Sequence, residues 1–461
     1  MQSFKLPRPA LPVLLLVLAG LPLAAQVPAG QTEEAKSGQA GFSSFAEPAA
    51  EKPVLSWHGL WTGAVRAYID WDYPAATALG LPARLELELK HASKNSELVS
   101  RLHFSRELSS TAGAAEIDKF LRDMVDEAYA RLFFDGFDLE AGYFKLVWGK
   151  GDDMHVIDVL NPIDYSDFVN NSYLERKMAE YMLKANLRFT DFAALELVWQ
   201  PVFTADVYPQ TGRWTPYRVE AMLSQFAPFS PTLVVENSTT LKYGTYAARF
   251  TGSFGPLDLG LAYAYSFLRE PAVDPRALTT ANKVYITNNR VHMLGLEAGG
   301  AVGGFNLRSE AGLFLSEDLA GDDPRVKNPR AGWLAGFDKN LPLSNLNFNL
   351  QARGSYVLGS DKISSNPLAA DTDYSSESLY SDHVLAAALS DAWANEKFKP
   401  KLSWTFNFER RDWMLRPELV LAPFDDVAIK LRWTQFYGSD QGSFGHYQRS
   451  SFAEAGLEYR Y

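Results

Sequence analysis

Apolar and polar residues alternate along most of the chain, from Trp57 to the C-terminus. In the segment 84–90, for example, three leucines alternate with Arg84, Glu86, Glu88 and Lys90. A period of two places successive side chains on opposite faces of a β-strand. Strands of soluble sandwiches usually have about five or six residues, whereas these segments have about ten, the length of a strand that crosses a bilayer. The pattern predicts an all-β protein that spans a membrane, and a soluble β-protein is the weaker alternative.

Eighteen segments have this pattern, and they predict a transmembrane antiparallel β-barrel of eighteen strands. They lie at 57–70, 82–91, 97–106, 126–134, 138–149, 179–190, 192–201, 240–254, 257–268, 289–299, 304–315, 331–340, 345–358, 382–391, 399–410, 412–423, 426–437 and 451–461. The segment 382–391 could equally be a helix in a loop, and the loss of it and one neighbour would leave sixteen strands. Either even number places both termini on the periplasmic side.

The connections between the segments differ in length in a regular way. Short turns at 135–138, 190–191 and 252–256 alternate with long polar stretches at 150–178, 201–239, 268–288 and 359–380. Outer-membrane barrels have short periplasmic turns and long extracellular loops. Closure of the sheet also leaves no unpaired edge in the lipid. We therefore expect the long stretches to be extracellular loops.

The N-terminus has the pattern of an export signal. Lys5 and Arg8 precede an apolar run at 11–20, and small residues at 23–25 provide a cleavage site. A retained signal anchor is the alternative, but the apolar run is short for a membrane span. We expect a signal peptide at 1–25, a flexible Ala-, Glu- and Pro-rich periplasmic leader at 26–56 and the barrel at 57–461. Export and a barrel together predict the outer membrane of a diderm bacterium.

Composition and charge narrow the function classes. The 461 residues include no cysteine, which excludes disulfides, thiolate metal sites and cysteine nucleophiles. The net charge of −11 and the lack of a basic block argue against nucleic-acid binding. The seven histidines have no metal-binding spacing, and no phosphate-binding loop or catalytic triad pattern is present. The sequence predicts neither an enzyme nor a cofactor or metal site.

Charged residues on the polar faces of the strands are the candidates for the lining of a pore. A Lys or Arg that faces lipid at mid-depth costs about 2–4 kcal/mol, so these residues should face the lumen. They are Arg84, Glu86, Glu88, Lys90, Lys184, Arg188, Arg308, Glu310, Arg353, Lys430 and Arg432. Both signs are mixed. They could therefore select solutes and ions, or they could pair across the wall and stiffen it.

The stretch 149–167 is rich in carboxylates. Its five aspartates could hold Ca²⁺ through oxygen ligands. However, the regular spacing of a calcium loop is missing, which favours a solvated or hydrogen-bonded loop. The residues that we single out here are Trp148, Lys150, Asp158, Asn161 and Asp164.

Two motifs resemble known outer-membrane barrels. Trp148-Gly149 at the end of a segment, followed by Asp158-Val-Leu-Asn-Pro-Ile-Asp164, is similar to a motif of large porin-like barrels, including relatives of the alginate-export porins. This resemblance implies a loop that folds toward the pore. The last segment, with Leu457, Tyr459 and Tyr461 on one face, resembles the C-terminal strand signal that the barrel-assembly machinery reads.

The sequence therefore predicts a channel for passive diffusion of small hydrophilic solutes. The alternative is a surface-exposed structural or adhesin barrel whose long loops bind a partner and whose lumen is blocked. The expected partners are outer-membrane lipid, the assembly machinery and the solutes themselves, and a homo-oligomer would be compatible with this class. Neither the solute nor the ion preference follows from these patterns.

Overall fold

The computed structural model describes residues 54–70, 79–107, 124–166, 169, 172–364, 369–373, 376 and 378–461. Within these ranges, eighteen strands form one closed antiparallel barrel. They are β1 (Val54–Tyr68), β2 (Pro82–Ala92), β3 (Ser96–Glu107), β4 (Val125–Phe134), β5 (Phe137–Phe144), β6 (Glu180–Thr190), β7 (Ala193–Gln200), β8 (Thr245–Phe254), β9 (Leu257–Phe267), β10 (Arg290–Val302), β11 (Phe305–Ser316), β12 (Arg330–Asn340), β13 (Asn347–Val357), β14 (Ser381–Ser390), β15 (Phe398–Asn407), β16 (Asp412–Phe424), β17 (Val427–Tyr437) and β18 (Phe452–Arg460).

The barrel closes between its first and last strands. β18 pairs with β1 from Leu60 opposite Arg460 to Tyr68 opposite Phe452. Each other strand pairs with its neighbours in the chain, for example β6 with β5 and β7. A two-residue strand, Leu79–Gly80, adds to β1. The closed sheet has no long free edge, which is the condition for a sheet in lipid.

The strand prediction is confirmed, including the doubtful segment. Residues 381–390 form β14, which pairs with β13 and β15, so the barrel has eighteen strands and the sixteen-strand alternative is wrong. The predicted segment 138–149 is too long at its end, because β5 stops at Phe144 and Trp148 lies in the following loop. β1 begins at Val54, three residues before the predicted start of the barrel. The predicted signal peptide and residues 26–53 of the leader lie outside the described residues.

The two faces of the strands differ as the alternation predicts. On β6, the exposed Leu183 follows the buried Met182 and precedes Lys184, whose ammonium group pairs with Glu140 inside the barrel. Large apolar side chains such as Leu259, Leu261 and Leu296 are exposed on neighbouring strands. Apolar area of this extent on the outside of a monomer indicates contact with lipid or with another apolar surface.

The connections at the two ends of the barrel differ in length. At one end, β4, β6, β8 and β10 turn into the next strand at 135–136, 191–192, 255–256 and 303–304. At the other end, hereafter the long-loop end, the connections include 145–179, 201–244, 268–289 and 317–329. The observed asymmetry is the one that the sequence predicts.

The long loops carry the remaining elements. The α-helices are Tyr173–Arg176, Tyr217–Phe226, Leu278–Ala281 and Ser360–Ser364, and the 3₁₀ helices are Ala227–Phe229, Leu241–Tyr243 and Gly445–Ser450. Three short strands, Thr232–Val235, Ala272–Asp274 and Lys283–Thr287, form a separate small sheet. No helix in the described ranges is long and apolar enough to cross a bilayer.

The main hydrophobic core lies inside the barrel. Trp148, Ile157 and Leu160 of the loop after β5 are fully buried against inward-facing residues of β6 to β10, including Ala262 and Met293. Small residues on these strands leave room for the loop: a Cβ at Gly295 would lie 2.9 Å from Ile157 Cγ2. This core therefore packs the loop against the wall of β6 to β10, and two smaller apolar clusters lie around Phe452 and around Phe203.

Candidate functional site

Residues 145–166, hereafter the inward loop, leave the wall at the end of β5 and cross the lumen. The turn away from the wall begins where the Lys145 backbone N–H donates to Glu127, 2.7 Å. Further along, the loop reaches β11 and β13, six to eight strands away around the barrel. The lumen is thus narrowed by a segment that the wall holds on both sides.

The Glu310 carboxylate on β11 is the main anchor of the inward loop on the far wall. Its Oε1 accepts the backbone N–H groups of Lys150 and Gly151, both at 2.8 Å. Its Oε2 accepts those of Val156 at 2.6 Å and Ile157 at 3.2 Å. The four donors satisfy a carboxylate that is only 3% exposed, which offsets the cost of burying its charge.

Gly149 permits the close approach of the loop to Glu310. Its φ of +100° lies in a region that L side chains rarely adopt. A Cβ at this position would also lie 2.3 Å from Glu310 Oε1. The Trp-Gly pair in the sequence therefore marks the point where the loop packs on the anchor.

Asp152 provides a second anchor on β11 and β13. It pairs with Arg308, and its Oδ2 accepts from Asn349 at 2.6 Å and Gln351 at 2.5 Å. Arg308 also pairs with Asp338 on β12. These groups bind the tip of the loop to three neighbouring strands.

Asp158 and Asn161 organise the loop from within. Asp158 Oδ1 accepts the Trp148 N–H at 3.2 Å, and Oδ2 accepts the Tyr173 hydroxyl at 2.6 Å and pairs with Lys177. Asn161 accepts the backbone N–H of residue 146 at 2.8 Å and donates to the carbonyls of residues 144 and 178. Both side chains of the Asp-x-x-Asn-Pro segment thus hold the base of the loop together.

The other singled-out loop residues have lesser contacts. The Lys150 ammonium group lies 3.9 Å from Asp258 Oδ2 on β9. Asp164 accepts the Ser166 N–H at 2.7 Å and pairs by a backbone bridge with Val207. No group of three acidic or histidine side chains in the described part of the chain is arranged to hold a metal ion, and Asp167 lies outside that part. The oxygens of Asp152 and Asp158 are engaged by protein donors, which favours the hydrogen-bonded interpretation over Ca²⁺.

Burial and charge shift the pKa values of three loop groups. Burial lowers the pKa of His155, but its hydrogen bond to Glu310 and the nearby Asp158 charge raise it more, so its pKa lies above the ordinary value. Burial lowers the pKa of Lys177, and Asp158 only partly offsets this effect. Burial raises the pKa of Asp206 to about 6, against the hydrogen bond from the Ile163 N–H.

All eleven predicted pore-lining residues contact a group of opposite charge. Ten have an Asp, Glu or Arg partner, and Glu310 contacts His155, which is charged only when it is protonated. The pairs are Arg84 with Glu86 and Glu175, Glu88 with Arg101, Lys90 with Glu97, Lys184 with Glu140, Arg188 with Asp138, Arg308 with Asp152 and Asp338, Arg353 with Asp382, Lys430 with Glu458, and Arg432 with Glu454. These eleven residues therefore line the wall as part of pairs of mixed sign.

A cavity of about 320 Å³ lies between the inward loop and the wall of β9 to β13. Arg176, Arg330 and Arg353 line it, and the Nε of each is buried without a hydrogen-bond partner among the described residues. Tyr165 and Tyr173 add aromatic surface. Asp153, Asp158, Asp206 and Glu270 also line the cavity, so it combines groups of both charges with aromatic rings and offers contacts to a solute that carries polar groups.

A second loop, residues 201–244 and hereafter the strap, crosses the long-loop end from β7 to the opposite side. Near its start, Val207 exchanges backbone hydrogen bonds with Ile163 and Tyr165 of the inward loop, 2.9 and 2.8 Å. Farther along, Trp214 packs against Tyr68 and Phe452, close to the closure of the barrel. The strap is thus supported near its start and again at Trp214.

Sequence reasoning missed the residues whose side chains contact segments that are distant in the sequence. Arg269, for example, donates to the carbonyl groups of residues 159, 160 and 204 and pairs with Glu180. Trp214 lies in a loop without any strand pattern, so nothing in the alternation identifies it as a packing residue. The runs of alanine and glycine on the inward faces of β8 to β10 were the available signal, because small inward residues leave space for a loop.

The predicted C-terminal signal lies on the outer face of the last strand. Leu457, Tyr459 and Tyr461 are 41%, 42% and 43% exposed. The Tyr461 backbone exchanges hydrogen bonds with Gly59, 3.0 and 2.8 Å, which extends the closure of the barrel to the last residue. Its recognition by the assembly machinery stays a prediction.

No protein-family model matches the chain, and no curated protein matches it. Among solved structures, it is similar to Pseudomonas aeruginosa OccK11 (OpdR), with 11% identity, a TM-score of 0.48 and coverage of 91% of this chain and 98% of that chain. It is also similar to the outer membrane channel DcaP of Acinetobacter baumannii, with 10% identity, a TM-score of 0.43 and coverage of 89% and 97%. For Pseudomonas aeruginosa OccK2 (OpdF) in complex with glucuronate, the identity is 10%, the TM-score 0.47 and the coverage 89% and 95%. Identities of 10–11% are too low to transfer residue roles from these channels to this chain.

Proposed function

We propose that the protein is a porin-like channel of the outer membrane that passes small hydrophilic solutes by passive diffusion. The observation that carries this proposal is a closed barrel with an apolar outer face, charged residues on the inward faces of its strands and an anchored loop that narrows the lumen. Charged groups inside a wide barrel require water, and an apolar outer face requires lipid. A water-filled passage through a membrane is the function that this combination supports best.

Such a channel selects among solutes by the width of its pore and by the charged groups that line the pore. The pairs along the wall nearly cancel one another, as Arg188 with Asp138 does at 2.6 Å. The cavity beside the inward loop differs, because Arg176, Arg330 and Arg353 line it together. We infer that solutes with an anionic or hydrogen-bond-accepting group make their main contact at this cavity. No energy input is needed for this mechanism.

The location and partners follow from the same proposal. The export signal at 1–25 would direct the chain to the periplasm, and the terminal strand with Tyr461 would be read by the barrel-assembly machinery. The exposed aromatic and aliphatic side chains on the outer face would contact outer-membrane lipid. The long loops would then face the cell exterior.

Planar-bilayer recording of the purified, refolded barrel tests the proposal. Ohmic current steps, with a reversal potential in a salt gradient that shifts toward cations in Arg176→Gln, are the expected result. Glu458→Gln on β18 is the control of opposite sign, because it leaves Lys430 without this carboxylate and should shift the reversal potential toward anions. A correctly folded barrel that never conducts would contradict the channel function and support the alternative of a surface barrel that binds a partner through its loops.

A further inference from the structure

The strap contacts the wall where β1 meets β18, hereafter the seam, at which the barrel closes. Tyr68 of β1 stands opposite Phe452 of β18 at the long-loop end of this pairing. Both side chains are buried, and their ring centroids lie 5.8 Å apart. Trp214 of the strap packs on both rings, with its centroid 6.3 Å from each. One side chain of the strap therefore bridges the first and the last strand.

Trp214 is the centre of the aromatic cluster at the seam. Besides the two rings of the seam, it contacts Phe436 of β17 at 6.1 Å and Tyr447, in the 3₁₀ helix before β18, at 5.8 Å. Of these five rings, it is the one that contacts each of the other four. Tilted and edge-on pairs of this kind are favourable beyond the apolar area that they bury. Removal of the indole would therefore separate the cluster into parts.

Polar contacts attach the strap to the same place. The Arg213 guanidinium lies 3.8 Å from the centroid of the Tyr68 ring, a cation–π contact with β1. The Tyr447 hydroxyl donates to the Trp214 carbonyl oxygen at 3.4 Å. Two successive residues of the strap are thus attached to β1 on one side of the seam and to the loop that leads into β18 on the other.

The outer face of the seam is lined by small side chains at the same level. Ala67 of β1 stands opposite Ala453 of β18, and Val65 stands opposite Ala455. Together with side chains of β16 and β17, these residues line an open groove on the outer face. Pairs of large side chains across neighbouring strands stabilise a sheet relative to pairs of alanine. Side-chain contacts that hold the two strands together at this level therefore lie mainly on the inner face.

We propose that the strap is a clasp of the barrel seam: Trp214 holds β1 and β18 together from inside the lumen at the long-loop end. The start of the strap follows β7 and is bonded to the inward loop through Val207. The clasp therefore connects the seam to the distant side of the wall. Separation of the two strands at this end requires that the strap is released first.

Ion pairs across the seam set the size of the expected effect. Arg66 Nε donates to Glu454 at 2.9 Å, and Arg449 pairs with Asp70. These contacts and the backbone ladder remain when the indole is removed. Loss of the clasp should therefore loosen the long-loop end of the seam and leave the rest of the barrel closed.

Hydrogen exchange of backbone amides in the folded full-length barrel tests the clasp. The informative amides lie in 66–70 and 451–454, including that of Ile69, which donates to the Ser451 carbonyl at 2.9 Å. In Trp214→Ala, we expect these amides to exchange about tenfold faster through local opening. Phe203→Ala is the matched control, because Phe203 belongs to the same strap and is 1% exposed, but it packs in a separate cluster with Tyr243 and Phe267. It should leave the exchange at the seam unchanged.

A disulfide across the seam separates the clasp from a general loss of stability. The chain has no cysteine, so Val65→Cys with Ala455→Cys places one pair of thiols on directly opposite residues. When this disulfide is added to Trp214→Ala, exchange at the seam should return to the wild-type rate. Trypsin should still cut after Arg213, which is only 7% exposed in the wild type, because the strap stays detached.

Three results would overturn the clasp. The first is cleavage after Arg213 in Trp214→Ala with exchange at the seam as slow as in the wild type. The second is an equal increase of exchange at the seam in Trp214→Ala and Phe203→Ala. If Trp214→Ala does not fold, as heat-modifiable migration would show, Trp214→Phe replaces it and should give a smaller increase at the seam; the absence of any increase is the third. None of these measurements depends on conduction, so the clasp and the proposed channel function can fail separately.

Discussion

Replacement of Glu310 is the most direct test of how the inward loop is held. In Glu310→Gln, one carboxylate oxygen becomes an NH₂ group that can no longer accept. Two of the four backbone N–H groups of the loop, those of Lys150 and Gly151 or those of Val156 and Ile157, then lose their acceptor. The loop should detach from β11 while the barrel remains folded.

The expected loss of free energy that holds the loop on β11 follows from the number of backbone N–H donors that lose their acceptor. A buried donor without an acceptor costs about 1–3 kcal/mol, so two of them weaken the anchor by about 2–6 kcal/mol in Glu310→Gln. Glu310→Ala leaves all four without a protein acceptor and sets an upper limit of about 4–12 kcal/mol, reduced by any water that enters. Asp152 and Asn161 still hold the tip and the base of the loop. Release should therefore be confined to its middle.

Limited proteolysis and single-channel recording measure this release. Trypsin should cut after Lys150 in Glu310→Gln but not in the wild type, and the open-channel conductance and current noise should increase. Glu140→Gln is the matched control, because Glu140 is 4% exposed, close to the 3% of Glu310, and its side chain pairs with Arg131 and Lys184 of the wall. If both variants resist trypsin and conduct as the wild type does, Glu310 is not the anchor.

Three further predictions concern the register, the closure and the pH response. Leu183→Arg should lower the folding yield into lipid vesicles, because a charge that faces lipid costs up to about 2–4 kcal/mol. Lys184→Gln, on the inward face, should fold with a normal yield. If Lys184→Gln fails to fold and Leu183→Arg folds well, the register of this strand is shifted by one residue. Deletion of Tyr461 removes its backbone pair with Gly59 and the last outward aromatic ring, so we expect unfolded protein in the periplasm, and normal heat-modifiable migration would contradict this. The pKa of His155 is raised in the folded protein, so its stabilisation is complete below the unfolded value of about 6.5 and is lost as the pH rises through the folded pKa. The trypsin resistance of the inward loop should accordingly fall as the pH rises above about 6.5 in the wild type. His155→Gln should show low resistance without this pH dependence, and an unchanged profile would contradict the role of this ring.

The alternation of residues was sufficient for the architecture, because the direction of side chains along a strand is a local property. Arg84 to Lys90 can point to one face only if the leucines between them point to the other. The number of strands followed in the same way, with one exception. Residues 384–389, Val-Leu-Ala-Ala-Ala-Leu, have no clear period, and alanine favours a helix locally. Pairing with β13 and β15 decided that this segment is a strand.

The charges on the inward faces were also predicted, but their partners were not. Two interpretations, selectivity and pairing, were left open for residues such as Lys184 and Arg353. The ion pairs with Glu140 and Asp382 depend on which strands are neighbours and on their register. Both are properties of the assembled sheet, and no single strand contains them.

The position of the inward loop, which narrows the lumen, depends most on the tertiary structure. The sequence by itself determined that 149–167 is a polar, aspartate-rich segment after a strand, and its resemblance to porin-like barrels implied that it turns inward. Glu310 lies 160 residues from Lys150 in the chain. A carboxylate becomes an anchor only when closure of the barrel brings backbone groups from such a distance within about 3 Å. Local periodicity determines to which face of the sheet a side chain points, but only the closed barrel determines which groups that side chain contacts.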